Sequence, residues 1–271
     1  MSSENNFSSN GLWLVGIGPG NPDLLTLGAV EAINSCKHVF MEGYTAHLSK
    51  EYLEEFQIKF GNWEILMRSS IENPEKLLEL ASKESVALLV IGDVLQATTH
   101  IDLILRCEKL QIPTNIVHGI SVTTLIGEVG LQAYRFGRQT TIPYPYKDYL
   151  PTSPLEIILS NKINNLHTLL LLDLDPTGMG EEKPRPMTPE IAIDTLNKMS
   201  QKYVDEGTPM IDNLLSWDAV LCSNLGTKNQ EIKYSSLETL SSIESDGMHC
   251  LIVPSEPHEM ELLALNRWRI E

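Results

Sequence analysis

Long apolar runs, clustered basic residues and grouped cysteines are what this sequence lacks. No apolar stretch in the 271 residues approaches the roughly 20 that a membrane-spanning helix needs, so no membrane association is expected. Met1–Asn10 is polar, without the basic start and apolar core of a secretory signal; residues 1–10 are expected to form a short disordered tail. Lys and Arg number 20 against 36 Asp and Glu, a net charge of −16. No basic cluster is present to neutralise phosphates, and nucleic acid is not an expected partner. A basic protein partner or a cationic ligand suits that charge, and so does solubility alone.

The four cysteines, Cys36, Cys107, Cys222 and Cys250, lie far apart, with no C-x-x-C and no tight Cys/His group. That spacing supports neither a zinc site nor a disulfide framework. Each sits in or beside an apolar stretch and reads as a small buried hydrophobe in a reducing, cytoplasmic setting. What is present is ordinary globular composition, 42% hydrophobic and 21% charged, in a chain long enough for one large domain or two of usual size.

Strand-like apolar runs alternate with helical patterns. Gly11–Ile17, His38–Met41, Trp63–Met67, Val86–Ile91 and Thr114–Val117 read as strands. Helices are expected at Leu24–Cys36, Leu53–Phe60, Pro74–Lys83 and His100–Leu110, from apolar residues recurring at helical spacing. Such alternation predicts a mostly parallel sheet covered on both faces. The second half is looser. A helix at Ser121–Glu128 precedes a Gly-, Pro- and Tyr-rich crossing segment, Gly130–Lys147, with a strand at Gln139–Ile142. Helix Pro154–Asn161, strand His167–Leu172, loop Asp175–Pro186 and helix Pro189–Gln201 follow, then strands Ala219–Ser223, Glu231–Tyr234 and Cys250–Val253 and a final helix from about Glu259. The reading is α/β, with a first domain over 11–124 and a second, mixed-sheet domain over 125–271.

Chemistry concentrates where strands end. Gly16-Ile17-Gly18-Pro19-Gly20-Asn21-Pro22 follows a strand, and its glycines permit close approach of a ligand or of a neighbouring strand. Glu42 stands at about the distance a dinucleotide fingerprint requires. Asn21 in place of the third glycine and the missing N–H of Pro19 speak against phosphate binding. Asp93, after Gly92, either meets a ribose, amino group or sulfonium or only closes a turn. Thr98 or Thr99 is expected to cap the following helix, and Ser121 the next one. His100 and His167 read first as structural. His249, His258, Glu259 and Glu261 match no familiar metal spacing.

Taken together, these segments resemble the tetrapyrrole methylase superfamily and, within it, the diphthine synthases. Glu42–Thr45 (EGYT), Gly92–His100 (GDVLQATTH), Val117–Ser121 (VHGIS), Gly130–Gly137 (GLQAYRFG) and Leu166–Asp173 (LHTLLLLD) carry the narrower likeness, extended by Lys183–Thr188 and Pro257–Leu262. The resemblance implies two α/β domains of the tetrapyrrole methylase type with a cofactor cleft between them. It implies S-adenosyl-L-methionine as cofactor, contacted by Pro19, Asp93, Gln96, Ser121, Val122, Leu172, Leu225 and His249. It further implies a cytoplasmic homodimer that methylates the amine of a 3-amino-3-carboxypropyl-histidine on translation elongation factor 2. Pro19 and Val94 depart from the family's usual residues at those positions, which bears on loop detail. A porphyrinoid acceptor, as in uroporphyrinogen and precorrin methyltransferases, is the alternative that GIGPG alone fits equally well.

A sulfonium is already an activated leaving group, so such an enzyme chiefly aligns the reactants and excludes water. No dedicated nucleophile or metal is expected. The amine must be neutral to attack, and burial or a nearby base would supply that form. Glu42, Tyr44, Thr45 and His100 are the candidates for the acceptor side.

Overall fold

A computed structural model of the chain describes residues 9–146, 149–205 and 213–271. Residues 1–8 of the expected tail and Lys147 of the expected crossing segment lie outside the described residues. Asn10 is described, and its side-chain amide donates to the Ser82 carbonyl at 3.0 Å. Contacts divide the chain into two compact units. One runs to Thr124 and includes Met179–Pro184; the other comprises Leu125–Gly178 and Arg185–Glu271.

The first unit runs β1 (Gly11–Gly16), α1 (Leu27–Ser35), β2 (His38–Glu42), α2 (Lys50–Phe60), β3 (Glu64–Leu66), α3 (Arg68–Glu72), α4 (Glu75–Lys83), β4 (Ser85–Val90), α5 (Ile101–Lys109) and β5 (Thr114–Val117). Its sheet has the order β3-β2-β4-β1-β5, parallel throughout, with Leu12 in register with Val86 on one side and Thr114 on the other. The central strands are apolar from end to end because both faces are covered. Leu12, Leu14, Val86, Leu88 and Val90 enter a core with α4 and α5, whereas Trp13, Val15, Ala87 and Leu89 enter a second core with α1 and α2. The two-residue alternation of a strand sorts them. Residues 179–184 join this unit through main chain and one carboxylate: Arg68 N donates to Gly180 O at 3.2 Å, and Ser69 N to Glu181 Oε1 at 2.7 Å.

Two expectations need correction here, and one element was missed. The helix expected from Leu24 begins at Leu27; Pro22–Leu24 is a separate 3-10 turn, and Thr26 caps α1 by accepting from Ala29 N. Neither Thr98 nor Thr99 caps α5. The N-cap is His100, and the Thr98 hydroxyl instead bonds back to the Val94 carbonyl at 2.6 Å. The short helix α3 lay unread between a strand and a proline.

The second unit opens in α6 (Val122–Leu125, begun in the first unit) and a 3-10 turn, Ile126–Val129, which share the single helix expected there. It continues through β6 (Thr140–Ile142), α7 (Ser153–Ile163), β7 (Thr168–Leu172), α8 (Pro189–Asp205), β8 (Asp218–Ser223), β9 (Glu231–Ser236), α9 (Leu237–Ser241), β10 (His249–Val253) and α10 (Glu259–Asn266). The sheet order is β6-β7-β10-β8-β9; β6 and β7 are parallel and the other pairs antiparallel. Leu170, Leu172, Ala219, Leu221, Leu251 and Val253 share one core with α7, α8 and α9. All four cysteines are free and buried. No helix of the described residues is long and apolar enough to cross a membrane.

One buried carboxylate knits three distant stretches of this unit. Glu261, 1% exposed, accepts from Gln132 N at 2.9 Å, His258 N at 3.2 Å and His167 Nε2 at 3.1 Å, and pairs with Arg135. The Arg135 guanidinium also reaches the Glu256 carbonyl at 2.9 Å. Burial alone would push the Glu261 carboxyl up, but the N–H groups of Gln132 and His258 and the His167 ring outweigh it and hold it at about 2. A depressed carboxyl stabilises the fold fully above its unfolded value of about 4.3, and that contribution is lost as pH falls towards 2. Glu261→Gln should therefore cost the second unit about 3 kcal/mol at neutral pH, since it leaves a buried cation unpaired. Its thermal midpoint should also fall less than the wild type's between about pH 5 and 3; thermal melts across that range decide it.

In the first unit the loops leaving β1, β4 and β5 meet main chain to main chain. A Cβ on Gly119 would stand 2.2 Å from Gly92 O and 2.6 Å from Gly16 C. Gly119→Ala must push backbone apart, so a loss of about 3 kcal/mol in stability is expected, read by denaturant unfolding. Gly127→Ala, which meets nothing within 4 Å, is the control.

Candidate functional site

In an open parallel sheet, ligands gather beyond the carboxyl ends of the strands. Nine of the sequence-nominated residues of the first unit lie in those loops or at those ends: Pro19 after β1, Glu42, Tyr44 and Thr45 at and after β2, Asp93, Gln96 and His100 after β4, and Ser121 and Val122 after β5. The loops are stitched together. Gly18 N donates to Gly92 O at 3.1 Å and Gly92 N returns to Gly18 O at 2.7 Å. Gly16 approaches Gly119 and Gly92 so closely that its missing side chain serves backbone packing. No helix N-terminus follows Gly20 directly, because Asn21 caps the 3-10 turn and accepts from Asp23 N at 3.0 Å. The helix-start phosphate cradle of a dinucleotide fingerprint is therefore missing from this loop.

Asp93 is 6% exposed and both of its oxygens are engaged. Oδ1 accepts from Leu95 N at 2.9 Å; Oδ2 accepts from Gly119 N at 3.1 Å and lies 2.8 Å from His118 Nδ1. Burial raises this carboxyl, yet the three donors bring it below its usual value. Asp93 thus closes its own turn and also ties the β4 loop to the β5 loop. Gln96 is exposed, beside Ala97 in the left-handed region at φ 57°. Ser121 accepts from Thr123 N at 3.2 Å, the capping role its sequence position predicted.

Glu42, 1% exposed, accepts from Tyr44 N at 2.7 Å, Thr45 N at 2.6 Å and the Thr45 hydroxyl. Its carboxylate is spent on folding the turn. His100 is equally buried, and its Nδ1 lies 3.3 Å from Val94 O. A carbonyl only accepts, so Nδ1 carries the hydrogen and Nε2 the lone pair. Burial lowers this histidine, with the Glu42 charge opposing. Its Nε2 and the Tyr44 hydroxyl are buried without a hydrogen-bond partner; a side-chain interaction of Tyr44 with Thr99 falls short of one. Unpaired buried polar atoms cost about 1–3 kcal/mol each.

The nominated residues of the second unit also share one end of their sheet: Leu172 closes β7, Leu225 follows β8, and His249 opens β10, antiparallel to both. Leu172 and Leu225 are buried. His249 Nε2 lies 3.1 Å from Ser245 O and Nδ1 2.9 Å from Ser223 Oγ; burial lowers it against the pull of Ser245 and Asp246. Asn224, which the sequence reading passed over, fixes this end. At φ 51° it accepts from Met248 N at 3.1 Å and donates to Asp246 O at 2.8 Å. Its signal was an Asn-Leu-Gly at a strand end. His118 was passed over too, although it stands in one of the motifs. Among the described residues no group of three His, Cys, Asp or Glu gathers as a metal site; His258 caps α10 and Glu261 is taken by Arg135 and His167.

With this geometry in place, comparison with known proteins is specific. The family described as Tetrapyrrole (Corrin/Porphyrin) Methylases matches residues 11–241. A diphthine synthase of Methanoregula boonei is 33% identical over 261 residues, 95% of this chain and 98% of its own. The diphthine methyl ester synthase of Mus musculus is also 33% identical, over 94% of this chain and 95% of its own. A crystal structure of a diphthine synthase superposes with a TM-score of 0.81 at 31% identity, covering 95% of each chain. The chain belongs to the tetrapyrrole methylases and, within them, to the diphthine synthase family.

Proposed function

We propose that the protein is an S-adenosylmethionine-dependent methyltransferase of diphthamide biosynthesis, acting on the amine of the 3-amino-3-carboxypropyl-histidine of translation elongation factor 2. The observation that carries this is similarity along nearly the whole chain to enzymes named for diphthine. It favours this acceptor over a porphyrinoid. The charge of −16 suits a basic protein partner, and the working place of such an enzyme is the cytoplasm.

The residues present fit the cofactor in kind. Glycine loops offer main chain rather than side chains, and a Cβ on Gly92 would meet open space. In this reading the residues assigned to it are Pro19, Asp93, Gln96, Ser121, Val122, Leu172, Leu225 and His249. Asp93 serves through its main chain, since its carboxylate is already engaged. When bound, the cofactor supplies a methyl group whose bond to sulfur breaks as the bond to the acceptor nitrogen forms. In this reading the Tyr44 hydroxyl and His100 line the acceptor side as buried groups, and Glu42 and Thr45 hold the turn that presents Tyr44. Met260 and Leu263, exposed one turn apart on α10, and Tyr134 in the Gln132–Arg135 stretch that Glu261 holds to that helix, form the apolar surface we assign to a homodimer contact.

Calorimetry should show binding of S-adenosylhomocysteine and none of NAD; the reverse would sink the cofactor assignment. Labelled methyl should pass to purified elongation factor 2 carrying the unmethylated modification, and mass spectrometry of the modified peptide counts the methyls. Label found only on a uroporphyrinogen would replace the acceptor. Leu225→Asp should weaken S-adenosylhomocysteine by at least about tenfold, as expected for a charge placed in an apolar contact.

A further inference from the structure

The amine-methylating reading leaves one chemical need unassigned. An α-amino group titrates near 8, so at neutral pH the acceptor arrives mostly as an ammonium with no lone pair. Every methyl added to nitrogen also releases one proton. The site therefore needs a base that takes up a proton and can discharge it before the next transfer.

The β5 loop holds such a group. His118 Nδ1 lies 2.8 Å from Asp93 Oδ2, and the two side chains differ sharply in exposure, 71% for the imidazole and 7% for the carboxylate. A carboxylate only accepts, so the proton sits on Nδ1 and the lone pair on Nε2. Nε2 has no hydrogen-bond partner among the described residues. Asp93 is itself immobilised by Leu95 N and Gly119 N, which fixes the ring's anchor and its tautomer. Orientation of a base by a second, buried group is the general requirement for a competent proton acceptor. His100 shows the contrast: it carries the same tautomer, but its lone pair is sealed inside the protein.

We propose that His118, oriented by Asp93, is the base that takes the proton from the acceptor ammonium. The proposal rests on the amine-methylating reading given above. The N–H bond of the ammonium breaks with its electron pair left on nitrogen, and a new N–H bond forms at His118 Nε2. The imidazolium is balanced by the Asp93 carboxylate and then loses the proton to solvent through its exposed face. Asp93 is a positioning residue in this scheme, acting only through His118 and the loop. Asp93 is the charged group that faces the ring, from the β4 loop. At the N-cap of α1 the uncharged Thr26 hydroxyl meets the His118 carbonyl at 3.5 Å, and Gly119, Ile120 and Ser121 on its own loop carry no charge.

The test uses the full-length protein, His118→Ala and Asp93→Asn. Without cofactor or acceptor, imidazole nitrogen NMR should show His118 protonated at Nδ1 in the wild type, and a mixture of tautomers in Asp93→Asn. With both substrates, His118→Ala should lose about 100-fold in kcat near pH 7. That deficit should shrink as pH rises past about 8 and the ammonium ionises unaided. Affinity for S-adenosylhomocysteine should stay within about threefold, which separates loss of a base from loss of binding. A deficit constant across pH, or one matched by lost affinity, overturns the assignment, as does a wild-type ring protonated at Nε2. Wild type that binds S-adenosylhomocysteine yet methylates no elongation factor 2 overturns the underlying function and this proposal together.

Discussion

Two glycines, Gly16 and Gly119, set the terms for the strand-end loops of the first unit. At the ends of β1, β4 and β5 the main chain passes so near itself that no other residue fits at Gly16 or Gly119. Hydrogen bonds between these loops, such as the reciprocal pair of Gly18 and Gly92, are each worth only about 1 kcal/mol net. The steric condition is far stricter, because a Cβ would overlap backbone that cannot move without shifting three strands. From that crossing the rest follows. Asp93 is carried to within reach of the β5 loop, Gly119 N and His118 meet its carboxylate, and Ser121 is left to begin the next helix.

Acidic side chains in the motifs share one employment. Glu42 folds the turn after β2, Asp93 joins two loops, and Glu261 gathers Gln132, Arg135, His167 and His258. In each case a carboxylate accepts two or more backbone N–H groups, the arrangement in which an anion is cheapest to bury. A methyl donor that is already activated asks little of reactive side chains. The acidic residues near such a site are free to act as fasteners, and here they do.

How far the sequence could be read follows from the range of each interaction. The parallel strands were legible because Leu12–Val15 and Val86–Val90 are apolar on both faces, a local property. Their order in the sheet was not, since nothing local says that β1 lies between β4 and β5. Helix starts failed where two local signals competed: Pro22 opened a 3-10 turn ahead of α1, and Thr98 bonded back to Val94 instead of capping α5. That the nominated residues lie at strand ends was legible from the strand pattern. The partner of Asp93 was not, because His118 lies 25 residues away and a Gly-Asp pair is as common in plain turns. The glycine loop, open to two readings in the sequence, is settled at Gly16 in favour of a neighbouring strand. The chain-wide motifs GLQAYRFG, LHTLLLLD and PHEMEL were legible only as likeness; their physical reason is Glu261, which needs all three.

The histidines of these motifs sort by which ring nitrogen remains available. His167 gives its Nε2 hydrogen to Glu261 and accepts from Ser255 N at Nδ1, so both nitrogens are used. His249 donates from Nε2 to the Ser245 carbonyl and takes the Ser223 hydroxyl at Nδ1, and both are used again. His100 donates from Nδ1 to Val94 and keeps a lone pair, but in a buried place that bulk water does not reach. Of these four histidines, His118 is the one that combines a fixed tautomer, a free lone pair and an exposed ring. A group that must pick up a proton for each methyl added to nitrogen, and discharge it, needs all three properties. Burial would slow the discharge, and a second hydrogen bond would occupy the lone pair. The same glycine crossing that leaves no room for side chains at Gly16 and Gly119 is what brings a buried carboxylate under an exposed imidazole. Steric exclusion along the main chain and proton chemistry at its edge are two consequences of one arrangement.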